Sequence, residues 1–299
     1  MATTPRHDNL RFVTVGAPQT ALQTGTPAAI RHCRELGLKH LEIAWVQSVR
    51  VGDEMCQQIK TAKEESGLSL SVHAPYFINL NSQTEELMSK SDARLLAAAR
   101  RGCMAGATDI IFHPGSYHNQ PPEQVYERAK EKLIEITTIL REEGTIVTLR
   151  PETMGKSAMF GDLDEVLQLS RDVAGVKPCI DWAHLHARPG DGSFNSYEEF
   201  ADALTKVRDM LGEDGLKTVH FHLSGIEYTA KGEKNHVPLV ESDLKYRELL
   251  QAFVDFDVAG SAAVEAPEPF HTADALLFQA FYRRLVDQTE GKALEQIAD

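Results

Sequence analysis

Strand-like and helix-like segments alternate eight times along this chain, and this alternation limits its fold more than any other feature. Apolar runs such as DIIFHPG (109–115) and LKTVHFHLS (216–224) each precede a longer stretch with helical periodicity. Strands with apolar residues on both faces indicate a parallel sheet covered by helices. Since a closed (β/α)8 barrel takes about 250 residues, the pattern predicts an α/β TIM barrel forming one domain over residues 1–299.

Six consecutive predicted strands end in a residue that can bind a metal ion. These residues are His73, His113, Glu152, Asp181, His222 and Glu265. They are separated by 40, 39, 29, 41 and 43 positions, about one strand–helix unit each. Because barrel active sites lie at the carboxyl ends of the strands, we expect the six side chains to form one site.

Imidazole nitrogens and carboxylate oxygens are the ligands that zinc commonly takes. Two further histidines follow strand ends: His184, three residues after Asp181, and His236, in a segment that reads as the loop GEKNHVPL (232–239). Eight ligands exceed what one ion can use. A shared carboxylate brings two ions to about 3.5–4 Å, so Glu152, in the middle of the series, is predicted to bridge two ions and to be the catalytic residue.

Each member of this set also has a structural interpretation. A single histidine within a strand is commonly a hydrogen-bonded core residue. Asp181 or Glu152 could instead cap the helix that follows it. Recurrence at six consecutive strands favours the metal interpretation for the set, because six independent structural roles in register are improbable.

Other polar residues of the strands are expected to support the site. His220 shares the strand parity of His222 and should lie one layer deeper in the barrel. Arg150 should also point inward, as a structural counter-ion or as a contact to phosphate. His186 could orient His184 but is expected to face solvent.

The chain is acidic, with a net charge of −13 and a pI of about 5.4. This charge disfavours simple coating of a nucleic-acid duplex, which usually needs a basic footprint. It permits a nucleic-acid enzyme whose local positive charge comes from bound metal ions. No apolar run approaches the roughly 18 residues of a membrane span, the N-terminus lacks a signal-peptide core, and the four scattered cysteines predict reduced thiols. We therefore expect a cytoplasmic protein.

Several segments resemble those of endonuclease IV, the zinc-dependent apurinic/apyrimidinic endonuclease of the xylose-isomerase-like barrels. They are HAPYF followed by INL, FHPGSY, PETMGK followed by GDLDEV, CIDWAH, HLSG and VEAPEP, and they span roughly residues 70–270. The resemblance implies a DNA-repair hydrolase that cleaves the phosphodiester bond 5′ to abasic sites in double-stranded DNA. It also implies a monomer with two or three zinc ions.

The resemblance assigns a role to each of the eight candidate ligands. His73 and His113 would bind the first zinc, and Glu152 would bridge it to the second. The second would be completed by Asp181, His222 and Glu265, and the third would be bound by His184 and His236.

The resemblance also implies three DNA contacts. Tyr76 matches the family tyrosine that enters the DNA minor groove, and Phe77 would be its neighbour in that wedge. Arg50, after the second strand, would belong to a DNA-contacting loop. Such a wedge fits enzymes that distort a duplex to expose a damaged nucleotide.

Two positions depart from the family pattern. The family has an aspartate two residues before the last histidine, where this chain has Lys234. Since a protonated ammonium cannot bind zinc, the third site would need Glu233 or Glu227, or would be weak or absent. The CIDWAH segment also carries Trp182 and Ala183 where the bacterial pattern commonly has Thr-Cys, which indicates a divergent branch.

Two other functions remain open on the sequence. A sugar isomerase or epimerase of the same superfamily would bind one divalent ion through the set Glu152, Asp181, His222 and Glu265, with carboxylates moving protons. It would not need all the remaining four histidines as ligands. The departure at Lys234 also leaves open a metal-dependent binding protein that has lost catalysis.

Overall fold

The computed structural model describes residues 9–298, with side chains described for residues 9–291. The remainder of the predicted 1–299 span, including the N-terminal segment, lies outside the described residues. The strands, in chain order, are β1 (Leu10–Thr14), β2 (His40–Ala44), β3 (Ser69–His73), β4 (Asp109–Phe112), β5 (Thr148–Pro151), β6 (Ile180–Asp181), β7 (Val219–Leu223), β8 (Gly225–Thr229), β9 (Gly232–Val237) and β10 (Gly260–Val264).

All of these strands except β8 and β9 form one closed parallel barrel. Hydrogen bonding follows the orders β1-β10-β7-β6 and β2-β3-β4-β5. Parallel bridges between Val15 and Glu42, and between Glu152 and Cys179, join the two halves. The predicted (β/α)8 TIM barrel is thus confirmed, and the six candidate strand ends open at the same mouth.

Helices surround the barrel and connect its strands. They are α1 (Thr26–Glu35), α2 (Asp53–Ser66), α3 (Glu85–Ala105), α4 (Pro122–Glu142), α5 (Leu163–Asp172), α6 (Trp182–Ala187), α7 (Tyr197–Leu211), α8 (Glu213–Lys217), α9 (Tyr246–Asp255) and α10 (His271–Ala298). Local sequence sets their ends: the hydroxyl of Thr84 accepts the N–H of Leu87 at the start of α3, and Gly106 ends it with φ 85°. Among the described helices, none is long and apolar enough to cross a membrane.

The apolar core lies between the strands and the helices. The outward face of β1 buries Phe12 against Phe278 and Tyr282 of α10, with ring centroids 6.3 and 5.5 Å apart. In the same apolar cluster, Trp182 packs on Phe221 of β7, two strands away, with ring centroids 5.4 Å apart. Each such buried aromatic side chain contributes roughly 1.5–3 kcal/mol, so the outward strand faces hold the helices on the barrel and leave the inward faces for polar groups.

The floor of the barrel contains an ion pair. The Arg150 Nε lies 2.5 Å from Asp109 Oδ1, and its other nitrogens donate to the carbonyls of Pro178 and Thr218 at 2.8 and 3.0 Å. Arg150 is therefore a structural counter-ion, one of its two predicted roles, and is not free to contact phosphate. Burial would raise the pKa of Asp109, but the guanidinium holds it below its ordinary value.

The segment predicted as the loop GEKNHVPL (232–239) is instead mostly strand β9, which pairs with β8 in an antiparallel hairpin. His236 therefore lies on a strand. The hairpin is fastened to the barrel by Asp243, which accepts hydrogen bonds from Tyr228 Oη at 2.7 Å and from the His186 ring at 3.0 Å. The expectation that His186 faces solvent was wrong, because its side chain is fully buried in this network.

Replacing Arg150 with methionine should lower the free energy of unfolding by about 3 kcal/mol, because it leaves Asp109 and two carbonyls without their donor. Chemical denaturation at neutral pH measures this. The difference in the free energy of unfolding between wild type and variant should be fully present above the ordinary aspartate pKa of 3.8. It should decline as pH falls toward the lower pKa that Asp109 has in the folded protein, since protonated Asp109 no longer needs the cation.

The matched control is Arg100→Met. Arg100 pairs with Glu143 on the surface, and exposed ion pairs add little. Equal losses in the two variants would contradict a structural role specific to the barrel floor.

Candidate metal centre

The carboxylate of Glu152 lies at the centre of the barrel mouth and is completely buried. Its Oε2 is 3.3 Å from His73 Nε2 and 3.4 Å from His113 Nε2. Its Oε1 is 3.3 Å from His222 Nδ1 and 3.3 Å from His184 Nδ1. Since His184 Nδ1 also donates to the Thr153 carbonyl, His222 is the imidazole that offers a nitrogen at Oε1, while His73 and His113 do so at Oε2. The two oxygens thus face different imidazoles, which is the geometry expected of a carboxylate shared between two cation sites.

Several buried polar atoms in this cluster lack a hydrogen-bond partner. Within the described part of the chain, these atoms include Glu152 Oε1, Asp181 Oδ2 and His222 Nδ1. A buried polar atom without a partner costs about 1–3 kcal/mol. Three of them converging on one point indicate a group that the surrounding protein does not supply, and their chemistry fits a divalent cation.

Four of the imidazoles use one ring nitrogen for a hydrogen bond directed away from the cluster. The bonds are His73 Nδ1 to the Ala74 carbonyl (2.9 Å), His184 Nδ1 to the Thr153 carbonyl (2.8 Å), His222 Nε2 to the Glu42 carboxylate (3.0 Å) and His236 Nδ1 to the Ser224 hydroxyl (2.5 Å). Such outer hydrogen bonds fix the orientation of a metal-binding histidine and leave its other nitrogen for the metal. The pattern therefore favours ligands over core residues.

The geometry of Asp181 is compatible with both interpretations that the sequence left open. Its Oδ1 accepts the backbone N–H of His184 at 2.8 Å and so caps α6. Its Oδ2 faces the cluster and is one of the atoms without a partner. One carboxylate thus starts the helix that carries His184 and leaves an oxygen for a cation.

Seven of the eight predicted ligands, all except His113, form overlapping groups whose donor atoms lie within 4.8 Å of one another. The groups are His73, Glu152 and His222; Glu152, Asp181, His222 and Glu265; and Asp181, His184 and His236. Cys179 joins His220 and His222 in a further group, but burial raises the pKa of its thiol. A buried neutral thiol is a poor ligand, so we assign Cys179 to the packing beneath the site.

The histidines and carboxylates of the cluster shift one another's pKa values. Burial alone would raise the pKa of Glu152, but His222 and His113 hold it well below its ordinary value. Burial would lower the pKa of His184, but Asp181 and Glu152 raise it well above the ordinary value. The buried carboxylates therefore require positive charge nearby, and binding a cation in place of imidazolium protons would release those protons.

Glu42, on β2, is a site residue that we did not select from the sequence. It is fully buried; its Oε1 accepts from His222 Nε2 at 3.0 Å and its Oε2 from His220 Nε2 at 2.7 Å. His220 in turn bonds the Ser261 hydroxyl at 2.8 Å, which places it one layer below the site, as predicted. The only signal in the sequence was a glutamate inside the strand HLEIA (40–44).

The three residues predicted to contact DNA differ in their placement. Tyr76 stacks on His113 with ring centroids 5.1 Å apart, and Phe77 follows it with 56% of its surface exposed. Both aromatic rings therefore stand at the rim of the site. Arg50 is exposed in the connection between β2 and α2, and no described contact joins it to the cluster.

A cavity of about 230 Å³ opens above the cluster. Its polar lining comes from Tyr76, His113, His184, Glu233, His236 and Glu265. A substrate entering it would meet imidazole and carboxylate groups together with one aromatic wall.

A family model described as the xylose isomerase-like TIM barrel matches residues 30–280. The chain belongs to the xylose isomerase-like TIM barrel family. A relative in Methanocaldococcus jannaschii, described as an uncharacterized protein, is 37% identical over 92% of this chain and 98% of its own length. A probable endonuclease 4 of Staphylococcus epidermidis is 31% identical over 53% of each chain, so this chain spans about half of that relative.

Solved structures of proteins with different names have the same fold. Endonuclease IV from Thermus thermophilus superposes with a TM-score of 0.72 at 22% identity, over 92% of this chain and 99% of that one. A D-tagatose 3-epimerase-like protein superposes with a TM-score of 0.71 at 14% identity, over 94% and 99%. These similarities establish the fold, and function must be argued from the site.

In this member of the xylose isomerase-like family, Glu42→Gln should weaken binding of a divalent cation roughly 10- to 100-fold. The amide cannot hold the His222 and His220 rings as the carboxylate does. Zinc titration against a chromophoric chelator measures the affinity.

Glu165→Gln is the matched control, since Glu165 is also buried but bonds Tyr117 and the start of α5. It should affect stability and leave zinc affinity unchanged. Equal zinc affinity in Glu42→Gln and wild type would show that Glu42 does not position His222.

Proposed function

We propose that this protein is a zinc-dependent phosphodiesterase that cleaves DNA on the 5′ side of abasic sites, as in base-excision repair. The supporting observation is the division of the Glu152 carboxylate, whose Oε2 faces the Nε2 atoms of His73 and His113 and whose Oε1 faces the Nδ1 atom of His222. A site for one cation has no use for so many imidazole ligands, whereas a site for two or three ions uses all of them. The partial similarity to probable endonuclease 4 supports the same choice.

The residues present fit divalent zinc in number and type. We infer that His73 and His113 would hold one ion with Glu152, which would also hold a second ion with Asp181, His222 and Glu265. Bound zinc ions would supply Lewis-acid activation of water and stabilise negative charge developing on the phosphate. The third group, with His184 and His236, lies beside Asp181.

The protein groups have their own tasks in this proposal. Glu152 fixes the spacing of the imidazoles, and the neighbouring imidazoles keep its buried carboxylate in the ionised form that cations need. Tyr76 would enter the minor groove beside the lesion, with Phe77 next to it, because both rings project at the rim. Arg50 would contact the DNA backbone from the neighbouring connection.

The local charge would suit a polyanion despite the net charge of −13. Electrostatic attraction in a metal site is governed by the ions, which are the largest local charges. Most of the acidic surface is exposed to solvent and is screened within about 8–10 Å at ordinary salt concentrations. Binding would therefore be confined to the mouth of the barrel.

A sugar isomerase or epimerase is the second candidate. The observation that favours it is the compact group Glu152, Asp181, His222 and Glu265, together with the TM-score of 0.71 to an epimerase-like protein. Two carboxylates on one cation could move protons at a sugar carbon. This candidate leaves His73, His113, His184 and His236 without a common purpose, so we place it second.

Purified protein should contain two or three zinc ions per chain and should incise a duplex with one abasic site, leaving a 3′-hydroxyl. Metal analysis and gel electrophoresis of a labelled strand measure both. Glu152→Gln should abolish incision and lower the zinc content, because the amide cannot bridge two cation sites.

The control in this assay is Glu241→Gln, an exposed carboxylate that belongs to none of the candidate ligand groups. Full incision by Glu152→Gln would exclude the bridging role. One manganese or magnesium ion, no incision and turnover of a ketose would favour the isomerase. Bound zinc with neither activity would favour a binding protein.

Replacing both rim aromatics, in the variant Tyr76→Ala with Phe77→Ala, should reduce incision of the abasic duplex by tenfold or more, on the order of the 1–3 kcal/mol of a lost stacking contact. Zinc content should be unchanged. Leu277→Ala, an exposed apolar residue of α10, serves as the control. Incision equal to wild type in the double variant would contradict the wedge.

A further inference from the structure

We propose that Glu233 is a ligand of the third cation site, together with His184 and His236, and that a β-bulge in the hairpin brings it there. The ligand of this site would be a divalent cation such as zinc. The inference deepens the proposed function and rests on it for the identity of the metal. It rests on this chain's own geometry for the identity of the residue.

The first argument is the register of the hairpin. Glu227 pairs with Asn235, but the next residue, Tyr228, pairs with Glu233. One step along β8 thus matches two steps along β9, and Lys234 is the extra residue of a bulge. In a regular strand, residues three apart face opposite sides; the extra residue reverses the parity. Glu233 and His236 therefore face the same side.

Exposure along β9 agrees with this reversal. Glu233 and His236 are half-buried, whereas Lys234 and Asn235 between them are exposed. Glu233 Oε2 lies 3.5 Å from His184 Nε2, and the rings of His184 and His236 are 5.1 Å apart. Glu233 lines the same cavity as both histidines.

The second argument is the close approach of the hairpin to the loop after β5. The Glu233 N–H donates to the Gly155 carbonyl at 2.8 Å. A Cβ on Gly155 would stand 2.7 Å from the Glu233 Cβ and 2.9 Å from the His184 Cδ2. A Cβ on Gly232, whose φ is +92°, would meet the Gly155 carbonyl oxygen. Two glycines thus allow the contact that places Glu233 beside His184.

The third argument is the state of the ring nitrogens. His184 uses Nδ1 to donate to the Thr153 carbonyl, and His236 uses Nδ1 for Ser224. Their Nε2 atoms remain for a cation, and that of His184 faces Glu233. Two imidazoles and a carboxylate form a set that zinc commonly takes.

The other carboxylate that the sequence left open does not reach this site. Glu227 Oε1 lies 2.7 Å from Lys234 Nζ, and both side chains are about half exposed. This pair occupies the outer side of the hairpin. Lys234 is thereby directed away from the cavity, so its ammonium group does not repel a metal ion bound to His184 and His236.

Zinc content separates these assignments. Wild-type protein equilibrated with zinc and desalted should contain three ions per chain, and Glu233→Gln should contain about one fewer or bind it at least tenfold more weakly. Glu227→Gln, the matched control on the other face, should equal wild type. Inductively coupled plasma mass spectrometry and chelator competition measure content and affinity, and thermal unfolding confirms that each variant is folded.

A double variant tests the register. Adding Lys234→Asp to Glu233→Gln places an aspartate two residues before His236, as in the family pattern. With the bulge in place, the new carboxylate should face outward and leave the zinc content low.

Four outcomes would overturn the proposal. They are full zinc content and affinity in Glu233→Gln, loss of a zinc ion in Glu227→Gln, recovery of the lost zinc ion in the double variant, and fewer than three zinc ions in wild type. Zinc content is measured without DNA. If every variant has the expected zinc content but the wild-type protein does not incise DNA, the proposed function is rejected and this inference stands.

Discussion

The site depends on a single buried carboxylate. Glu152 is excluded from solvent, and an isolated ionised carboxylate in such a place would be strongly destabilising. The barrel solves this by bringing imidazoles from β3, β7 and the ends of β4 and β6 to within 3.3–3.4 Å of its two oxygens. Each imidazole that meets Glu152 is also an imidazole that can hold a cation. The requirement for charge balance and the capacity for metal binding therefore have the same structural origin.

Below the site, the barrel interior continues this polar organisation. Barrel interiors are usually filled with branched apolar side chains, but here Glu42, His220 and Ser261 form a hydrogen-bonded layer, and the pair of Arg150 and Asp109 lies on the floor. Buried polar groups that all find partners fix a unique arrangement. The orientation of His222 thus depends on residues that would not touch a substrate, while the apolar core outside the barrel holds the helices.

The clustering of the strand-end residues could be predicted from the sequence because parallel strands of one barrel end at one mouth, so spacing along the chain becomes proximity in space. Glu42 could not be predicted, since it lies inside its strand and acquires meaning only from His220 and His222 across the barrel. The hairpin was missed for a related reason: its glycines and charged residues resemble a loop, and its pairing depends on contacts with Asp243 and Gly155. Position 234 was matched to the family aspartate by its spacing from His236. The bulge changes which side of the strand this position faces, so the spacing alone does not identify the residue that faces the cavity.

The contrast between the barrel strands and the hairpin bears on how this fold acquires different chemistries. Glu152, Asp181, His222 and Glu265 lie at strand ends and are held by the sheet itself. His184 and Glu233 lie on segments beyond the strands, and their relative position depends on the absence of a side chain at Gly155. A change in hairpin register by one residue would replace a carboxylate with an ammonium without disturbing any barrel strand. Under the proposed function, the candidate ligands beyond the strands can therefore change while the central four persist, and the number of cations bound would depend on the register of the hairpin.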